Sequence, residues 1–132
     1  MASIFTKIIQ GEIPCYKIAE NEHYFSFLDI NPVAEGHTLV IPKKEIDYIF
    51  DVDDEQLKGL IQFSKTIALG IDKALGTIRT GIVVEGMEVP HAHIHLIPIY
   101  YEGRPFSLGR ETEITKERMQ EIAEMINKAI VL

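Results

Sequence analysis

The sequence has a single cysteine, no tryptophan and no long apolar run. With Cys15 alone, the chain can form no intrachain disulfide and no cysteine-rich metal site. A membrane-spanning helix needs about 20 consecutive apolar residues, and no segment approaches that length. The first seven residues lack the basic segment and apolar run of a signal peptide. We therefore expect a cytoplasmic protein without a membrane partner.

Positive charge is also scarce, because 13 Lys and Arg face 20 Asp and Glu for a net charge of −7. Binding of extended nucleic acid needs a basic surface that releases counterions, so we do not expect such a partner. A small anionic ligand remains compatible with this charge, since local donors can outweigh it. The length of 132 residues, 46% of them hydrophobic, predicts a single domain over residues 1–132.

Hydrophobic periodicity predicts short strands interrupted by helices. The strand-like segments are Cys15–Ala19, His23–Leu28, His37–Ile41, Gly81–Glu85 and Ala92–Tyr100. The expected helices are a short one capped by Ser3 and ending before Gly11, a long one from about Glu55 to Leu75 behind Asp53 or Asp54, and a last one capped by Thr115. Residues 101–110 are expected to form a loop. This order predicts an α+β fold with a mainly antiparallel sheet of about five strands, one long helix and two shorter helices.

The most informative segment is His91-Ala92-His93-Ile94-His95, which holds three of the five histidines. Strict alternation with apolar residues predicts a strand with one buried face and the three imidazoles on the other. A row of histidines with no function would add little stability to the sheet, because neighbouring cations on a sheet face repel each other.

A metal site is one interpretation of the row. Side chains two apart on a strand stand about 6.6 Å apart, so His93 could chelate with His91 or with His95. The outer pair is twice as far apart, too far for one Zn²⁺ with bonds of about 2.0–2.1 Å. A metal would therefore need ligands from elsewhere in the chain, among which His37 is available.

Nucleophilic catalysis is the other interpretation, and it uses all three histidines. A neutral imidazole can attack phosphorus or an acyl carbon and form a covalent intermediate. The unperturbed imidazole pKa of about 6.5 permits this at pH 7. Flanking histidines could donate hydrogen bonds to anionic oxygens and to the leaving group. The rate should then fall on acidification, as the nucleophile becomes protonated.

The segment His91-Ala92-His93-Ile94-His95-Leu96-Ile97 resembles the signature of the histidine triad (HIT) superfamily, in its nucleotide-binding branch. Residues 4–14, 27–32 and 36–44 are similar to further blocks of that family. The resemblance implies an α+β fold whose sheet usually continues across a homodimer, and it implies no cofactor. It also implies hydrolysis or transfer at the α-phosphate of a nucleotide, with a purine base expected. Phosphoramidates, acyl-nucleotides and dinucleoside polyphosphates are the substrate types.

The resemblance also implies roles for four histidines. His93 matches the family nucleophile, which forms a nucleotidyl-histidine that water then cleaves. His91 and His95 would orient it and stabilise phosphate oxygens, and His37 matches a further histidine that supports the site.

The segment that matches residues 27–31 holds the nucleoside in the family. Asp29 would accept hydrogen bonds from ribose hydroxyls, since an ionised carboxylate only accepts. The residues expected around the base are Phe5, Ile8, Ile9, Phe27 and Ile30, with Asn31 beside them. For Phe5, a place in the plain core is an equal expectation.

The chain departs from the family at two places. Where many members hold a zinc with two cysteines and a histidine, this chain has Ser3, Thr6 and Glu45, so we expect no structural metal. Where many members carry a glutamine before the triad, it has Met87.

A methionine offers no donor to a reacting phosphate. The backbone amides of Glu88 or Val89 could supply the missing donors. The changed loop keeps open a nucleotide-binding or adaptor protein with weak catalysis. The histidine row keeps open a histidine-rich metal-binding protein.

Overall fold

The computed structural model describes residues 2–102 and 111–131. Its elements in chain order are α1 (Ile4–Ile9), β1 (Lys17–Glu20), β2 (Tyr24–Leu28), β3 (Thr38–Pro42), a 3-10 turn (Ile49–Asp51), α2 (Asp54–Leu75), β4 (Arg79–Val83), β5 (Ile94–Ile99) and α3 (Lys116–Ala129). The strands form one antiparallel sheet in the order β1-β2-β3-β5-β4. The predicted α+β fold is confirmed, with its five strands, one long helix and two shorter ones. Of the loop expected over residues 101–110, positions 103–110 lie outside the described residues.

The helix ends follow local hydrogen-bonding chemistry. Ser3, Asp53 and Thr115 each accept a hydrogen bond from the backbone amide three residues further on. These bonds satisfy donors that the first helical turn leaves unpaired. Helix α2 ends at Gly76, whose φ of 64° lies in the left-handed region that favours glycine. The predicted caps are confirmed, with Asp53 rather than Asp54 before α2.

Strand β5 begins at Ile94, two residues later than the alternation predicted. Val40 pairs with Ile94, so Pro42 would face Ala92 if the ladder continued. Proline has no N–H to donate. The amide of Ala92 instead donates to the carbonyl of Ile46 at 2.7 Å. The first two histidines of the motif therefore lie in a connection that precedes the strand.

Both faces of the central sheet are buried. Helices α2 and α3 cover one face, which contributes Val40, Ile94 and Leu96 to the larger hydrophobic cluster. The opposite face carries a smaller cluster that α1 completes, made of Phe5, Phe25, Phe27, Leu39 and Ile41. His95 pairs with Leu39 and therefore points to the α1 side. Within residues 2–102 and 111–131, no helix combines the length and apolar content needed to span a membrane.

Candidate active site

The three motif histidines lie on the side of the sheet that α1 covers. The Phe5 ring packs edge-on against the rings of His91 and His93, with centroids 5.8 and 5.1 Å apart. The His93 and His95 rings are 4.9 Å apart. The prediction that the three share one side is confirmed. The prediction that this side is the uncovered one is wrong, because Phe5 and its neighbours cover it and the three residues are at most 5% exposed.

The ring of His93 is oriented by the backbone of His91. Nδ1 of His93 lies 2.8 Å from the carbonyl oxygen of His91. A carbonyl oxygen only accepts, so Nδ1 carries a proton, and in the neutral ring Nε2 keeps its lone pair. Every fully buried side-chain nitrogen or oxygen among the described residues has a hydrogen-bond partner. Nε2 of His93 has no hydrogen-bond partner, so it is not fully buried. This atom therefore reaches solvent with a free lone pair, as a nucleophile requires.

A second chain of hydrogen bonds fixes the ring of His95. The backbone N–H of Val33 donates to Nδ1 of His37 at 3.1 Å. His37 in its neutral form must then carry its proton on Nε2, which lies 2.9 Å from Nδ1 of His95. Nδ1 of His95 accepts this bond, so the proton of neutral His95 is on Nε2. The free lone pair of His93 and a free N–H of His95 thus belong to adjacent rings.

Burial keeps the supporting histidines neutral at pH 7. Desolvation, with smaller contributions from the neighbouring His93 and His37, lowers the pKa of His95 to about 4. Burial also lowers the pKa of His37 and of His91. The Asp29 carboxylate opposes this for His37 and His95, and its Oδ2 lies 3.5 Å from Nε2 of His37 and 3.9 Å from Nδ1 of His95. Desolvation outweighs the opposing effect of Asp29, so the rings stay neutral, as the hydrogen bonds require.

His91 is bound at both ring nitrogens. Nε2 donates to the carbonyl of Pro42 at 2.8 Å, and Nδ1 lies 2.8 Å from the Ser3 hydroxyl, which donates to it. The carbonyl of His91 contacts the His93 ring, and the predicted role of His91 in orienting that ring stays a prediction. Both nitrogens of the His91 ring are already hydrogen-bonded, so the ring has no free donor for a phosphate oxygen in this structure.

Ser3, Thr6 and Glu45, which stand where many family members hold a zinc, lie together beside His91. Oε1 of Glu45 accepts from the Ser3 amide and from the Thr6 hydroxyl, both at 2.6 Å. The Thr6 hydrogen bond is the largest cause that lowers the pKa of Glu45 to about 2. Neutral hydroxyls are not the thiolate or imidazole ligands that structural zinc prefers. These residues therefore do not fit that metal and instead form a hydrogen-bonded cluster.

Asp29, His37 and His95 form the group that could hold a metal ion among the described residues, with ligand atoms within 4.8 Å of one another. Their hydrogen bonds disfavour this. A metal on Nε2 of His37 would move the proton to Nδ1, where it would face the N–H of Val33. Two donors would then oppose each other at a buried position.

Most of the residues expected around the nucleoside meet beside the triad. Ile8, Ile9 and Val89 pack on the cluster that contains Phe5 and Phe27. Phe5 is a buried core residue whose ring also packs against His93. Its expected contact with a base stays a prediction. Asp29 also lies beside the triad, because its carboxylate is 3.5 Å from the ring of His37 and 3.9 Å from that of His95.

Ile30 and Asn31 lie apart from this cluster. The Ile30 side chain is 70% exposed, and both residues line a cleft of about 780 Å³ against the start of α3. None of the four histidines lines that cleft. The amide of Asn31 donates to Oδ1 of Asp29 at 2.8 Å, and the other carboxylate oxygen lies 3.5 Å from Nε2 of His37. The place of Ile30 and Asn31 beside a nucleoside stays a prediction.

The loop before the triad leaves its predicted donors available. The amides of Glu88 and Val89 make no hydrogen bond within residues 2–102 and 111–131, whereas the carbonyl of Val89 accepts from the His91 amide at 2.7 Å. The Met87 side chain is 84% exposed. The loop thus offers backbone donors in place of a side-chain donor.

Sequence reasoning missed the groups that set the ring tautomers, namely the Val33 amide and the Pro42 carbonyl. Backbone groups leave no residue-type signal, because every residue except proline carries the same N–H and C=O. It also missed that Glu45 would be bound to the start of α1, 39 positions earlier in the chain.

Comparison with known proteins gives a consistent result. A model of the HIT domain matches residues 10–102. The adenosine 5'-monophosphoramidase of Saccharomyces cerevisiae is 39% identical over 119 residues, which cover 87% of this chain and 75% of the yeast protein. A HIT-like protein involved in cell-cycle regulation from Bartonella henselae is 33% identical with a TM-score of 0.85, over 97% and 96% of the two chains. A zinc-bound histidine triad family protein from Mycobacterium smegmatis is 27% identical with a TM-score of 0.83, over 98% and 93%.

Proposed function

This chain belongs to the HIT domain family, and we propose that it hydrolyses or transfers the nucleotidyl group at the α-phosphate of a purine nucleotide. One observation carries the proposal: the free Nε2 lone pair of His93 belongs to a ring 4.9 Å from that of His95, whose Nε2 carries a proton. The name of the yeast relative makes adenosine phosphoramidates the first substrates to test.

The reaction follows from these two atoms. The lone pair on Nε2 of His93 attacks the α-phosphorus and forms a P–N bond, while the bond to the leaving group breaks and its electron pair departs with that group. A basic leaving group takes its proton from water. Water then attacks the nucleotidyl-histidine and loses a proton to solvent as the P–O bond forms. The P–N bond breaks, and the ring recovers its lone pair. The N–H of His95 stabilises charge on a phosphate oxygen throughout.

The surroundings of the triad support binding of a nucleoside. Phe5 of α1 packs against the His93 ring and against Phe27 of β2, and the Asp29 carboxylate can accept from ribose hydroxyls. The amides of Glu88 and Val89 are the donors we assign to the phosphate or leaving group. A bound nucleotide that lies far from both amides would contradict that assignment.

The decisive experiment is turnover of adenosine 5'-phosphoramidate, followed as AMP release. We expect activity in the wild type and its loss in His93→Ala. The matched control is His23→Ala, because the His23 side chain is 55% exposed and its contacts lie outside the triad. Quenched reactions should contain an AMP adduct on the peptide that carries His93. Turnover that persists in His93→Ala would contradict the assignment of the nucleophile.

The changed loop favours a second candidate, a nucleotide-binding protein with weak catalysis. Its side chains at Glu85, Met87 and Glu88 offer no hydrogen-bond donor to a phosphate when the carboxylates are ionised. Tight binding of AMP without turnover of phosphoramidate, acyl-adenylate or dinucleoside polyphosphate would support this candidate.

We also propose that two copies pair through β4 into one continuous sheet. β4 is an edge strand whose side chain Ile82 is 55% exposed, with Ile78 and Val84 also exposed beside it. The other edge, β1, is protected, because Asn127 of α3 donates to the Ile18 carbonyl at 2.7 Å. An apolar, uncovered edge is prone to pair with another strand.

A further inference from the structure

The peptide unit that joins Pro32 to Val33 is hydrogen-bonded at both ends. Its N–H donates to Nδ1 of His37 at 3.1 Å. Its carbonyl accepts from the amide of Thr112 at 2.6 Å, and the Thr112 hydroxyl donates to the next carbonyl, that of Val33, at 3.2 Å. Thr112, near the start of the described segment 111–131, thus holds this peptide plane against the buried His37 ring.

We propose that the backbone amide of Val33 is a positioning group that fixes the tautomers of His37 and His95, so that His95 presents an N–H rather than a lone pair to the substrate. This inference rests on the proposed function for its catalytic meaning, because the substrate is the group that His95 would meet. Val33 acts only through His37 and does not touch the reacting atoms.

The alternative tautomer shows why the amide matters. If Nδ1 of His37 carried the proton, Nε2 of His37 would accept from Nδ1 of His95, and neutral His95 would have a bare lone pair on Nε2. That lone pair would face the phosphate oxygens of a nucleotide and repel them. The hydrogen bond between the two rings, at 2.9 Å, is satisfied equally well in either direction. The pair alone therefore cannot choose. The Asp29 carboxylate faces both shared nitrogens, at 3.5 Å from Nε2 of His37 and 3.9 Å from Nδ1 of His95, and can accept from either ring. The Val33 N–H, which can only donate and meets Nδ1 of His37 alone, makes the choice.

The loop that carries this amide is held from a second direction. The guanidinium of Arg118 in α3 binds the Glu35 carboxylate, with Nη2 2.9 Å from Oε1. The Tyr100 hydroxyl donates to the Glu35 carbonyl at 2.6 Å. Both bonds hold Glu35, which lies two residues from Val33 and two from His37, and so they restrain the loop that positions the His37 ring.

The test compares Val33→Pro, which removes the N–H, with Val33→Ala, which keeps it. The nitrogen chemical shifts of the histidine rings, measured by NMR without substrate, report which nitrogen carries each proton. In the wild type and Val33→Ala we expect Nδ1 of His37 and of His95 to be unprotonated. In Val33→Pro we expect shifts averaged between two tautomers. Turnover in Val33→Pro should be about threefold to tenfold lower than in Val33→Ala, with the fall in kcat rather than in KM.

Three results would overturn the inference. The first is a protonated Nδ1 of His37 in the wild type, which is decisive even if Val33→Pro fails to fold. The second is a single unchanged tautomer in folded Val33→Pro. The third is an equal loss of the tautomer in Val33→Ala, which would assign the effect to the side chain. A correct tautomer in a wild type that turns over no nucleotide would instead contradict the proposed function alone.

Discussion

The hydroxyl of Ser3 lies 2.8 Å from Nδ1 of His91, although 88 positions separate the two residues in the chain. The same hydroxyl oxygen accepts from the Thr6 amide and caps α1. One buried side chain therefore joins the first helix to the first histidine of the motif. Because the carbonyl of His91 is hydrogen-bonded to the His93 ring, this contact links the start of α1 to the proposed nucleophile.

Replacing Ser3 should therefore destabilise the fold. Ser3→Ala removes a helix cap and leaves Nδ1 of His91 with only the Thr6 hydroxyl, 3.5 Å away, so we expect a loss of about 1–3 kcal/mol in the free energy of unfolding. Urea denaturation measures it. Ser3→Thr keeps the hydroxyl and should lose less. Equal losses in the two variants would show that the hydrogen bond contributes little.

Acidification should destabilise the protein between about pH 6.5 and pH 4. The folded-state pKa of His95 is lowered to about 4, and those of His37 and His91 are lowered in the same direction. The unfolded chain therefore binds more protons in this range, and the free energy of unfolding decreases as the pH is lowered. His95 alone contributes about 3 kcal/mol to the fall. Urea titrations at several pH values check this, and His95→Gln should flatten the slope. A wild-type curve that is flat over this range would contradict the buried neutral rings.

The rate should depend steeply on the basicity of the leaving group. Neutral His95 can donate a hydrogen bond from Nε2, but loss of that proton would leave an imidazolate. It is thus a poor general acid. Between p-nitrophenyl and phenyl esters of AMP, we expect kcat/KM to differ by about a hundredfold or more, the contribution that a general acid would otherwise supply. Nearly equal rates for the two esters would indicate a proton donor in the site.

A charge on the uncovered edge should separate the proposed dimer. Ile82→Lys places an ammonium where the two β4 strands would meet, and we expect a monomer by light scattering after gel filtration. Phe50→Lys is the matched control, because Phe50 is 73% exposed in the 3-10 turn rather than on the edge. A wild type that is monomeric at all concentrations would refute the pairing itself.

The fold was largely predictable because its signals are local. Caps such as Ser3 and Thr115, and alternation in strands such as β2, depend on neighbours within a few positions. The start of β5 was not predictable. Its position depends on Pro42, which lacks an N–H and would lie opposite Ala92 only once the strands are aligned.

The sequence by itself determined which chemical groups are present: three alternating histidines, a fourth at His37 and a carboxylate at Asp29. These groups indicate imidazole chemistry, and the family resemblance adds the expectation of a nucleotide. Only the tertiary structure decided which ring nitrogen of each histidine carries a proton and which is free. The reason is that a histidine can present either nitrogen as donor, and the choice depends on a partner distant in sequence or on a backbone group common to all residues. Folding supplied those partners at His91, His93 and His95.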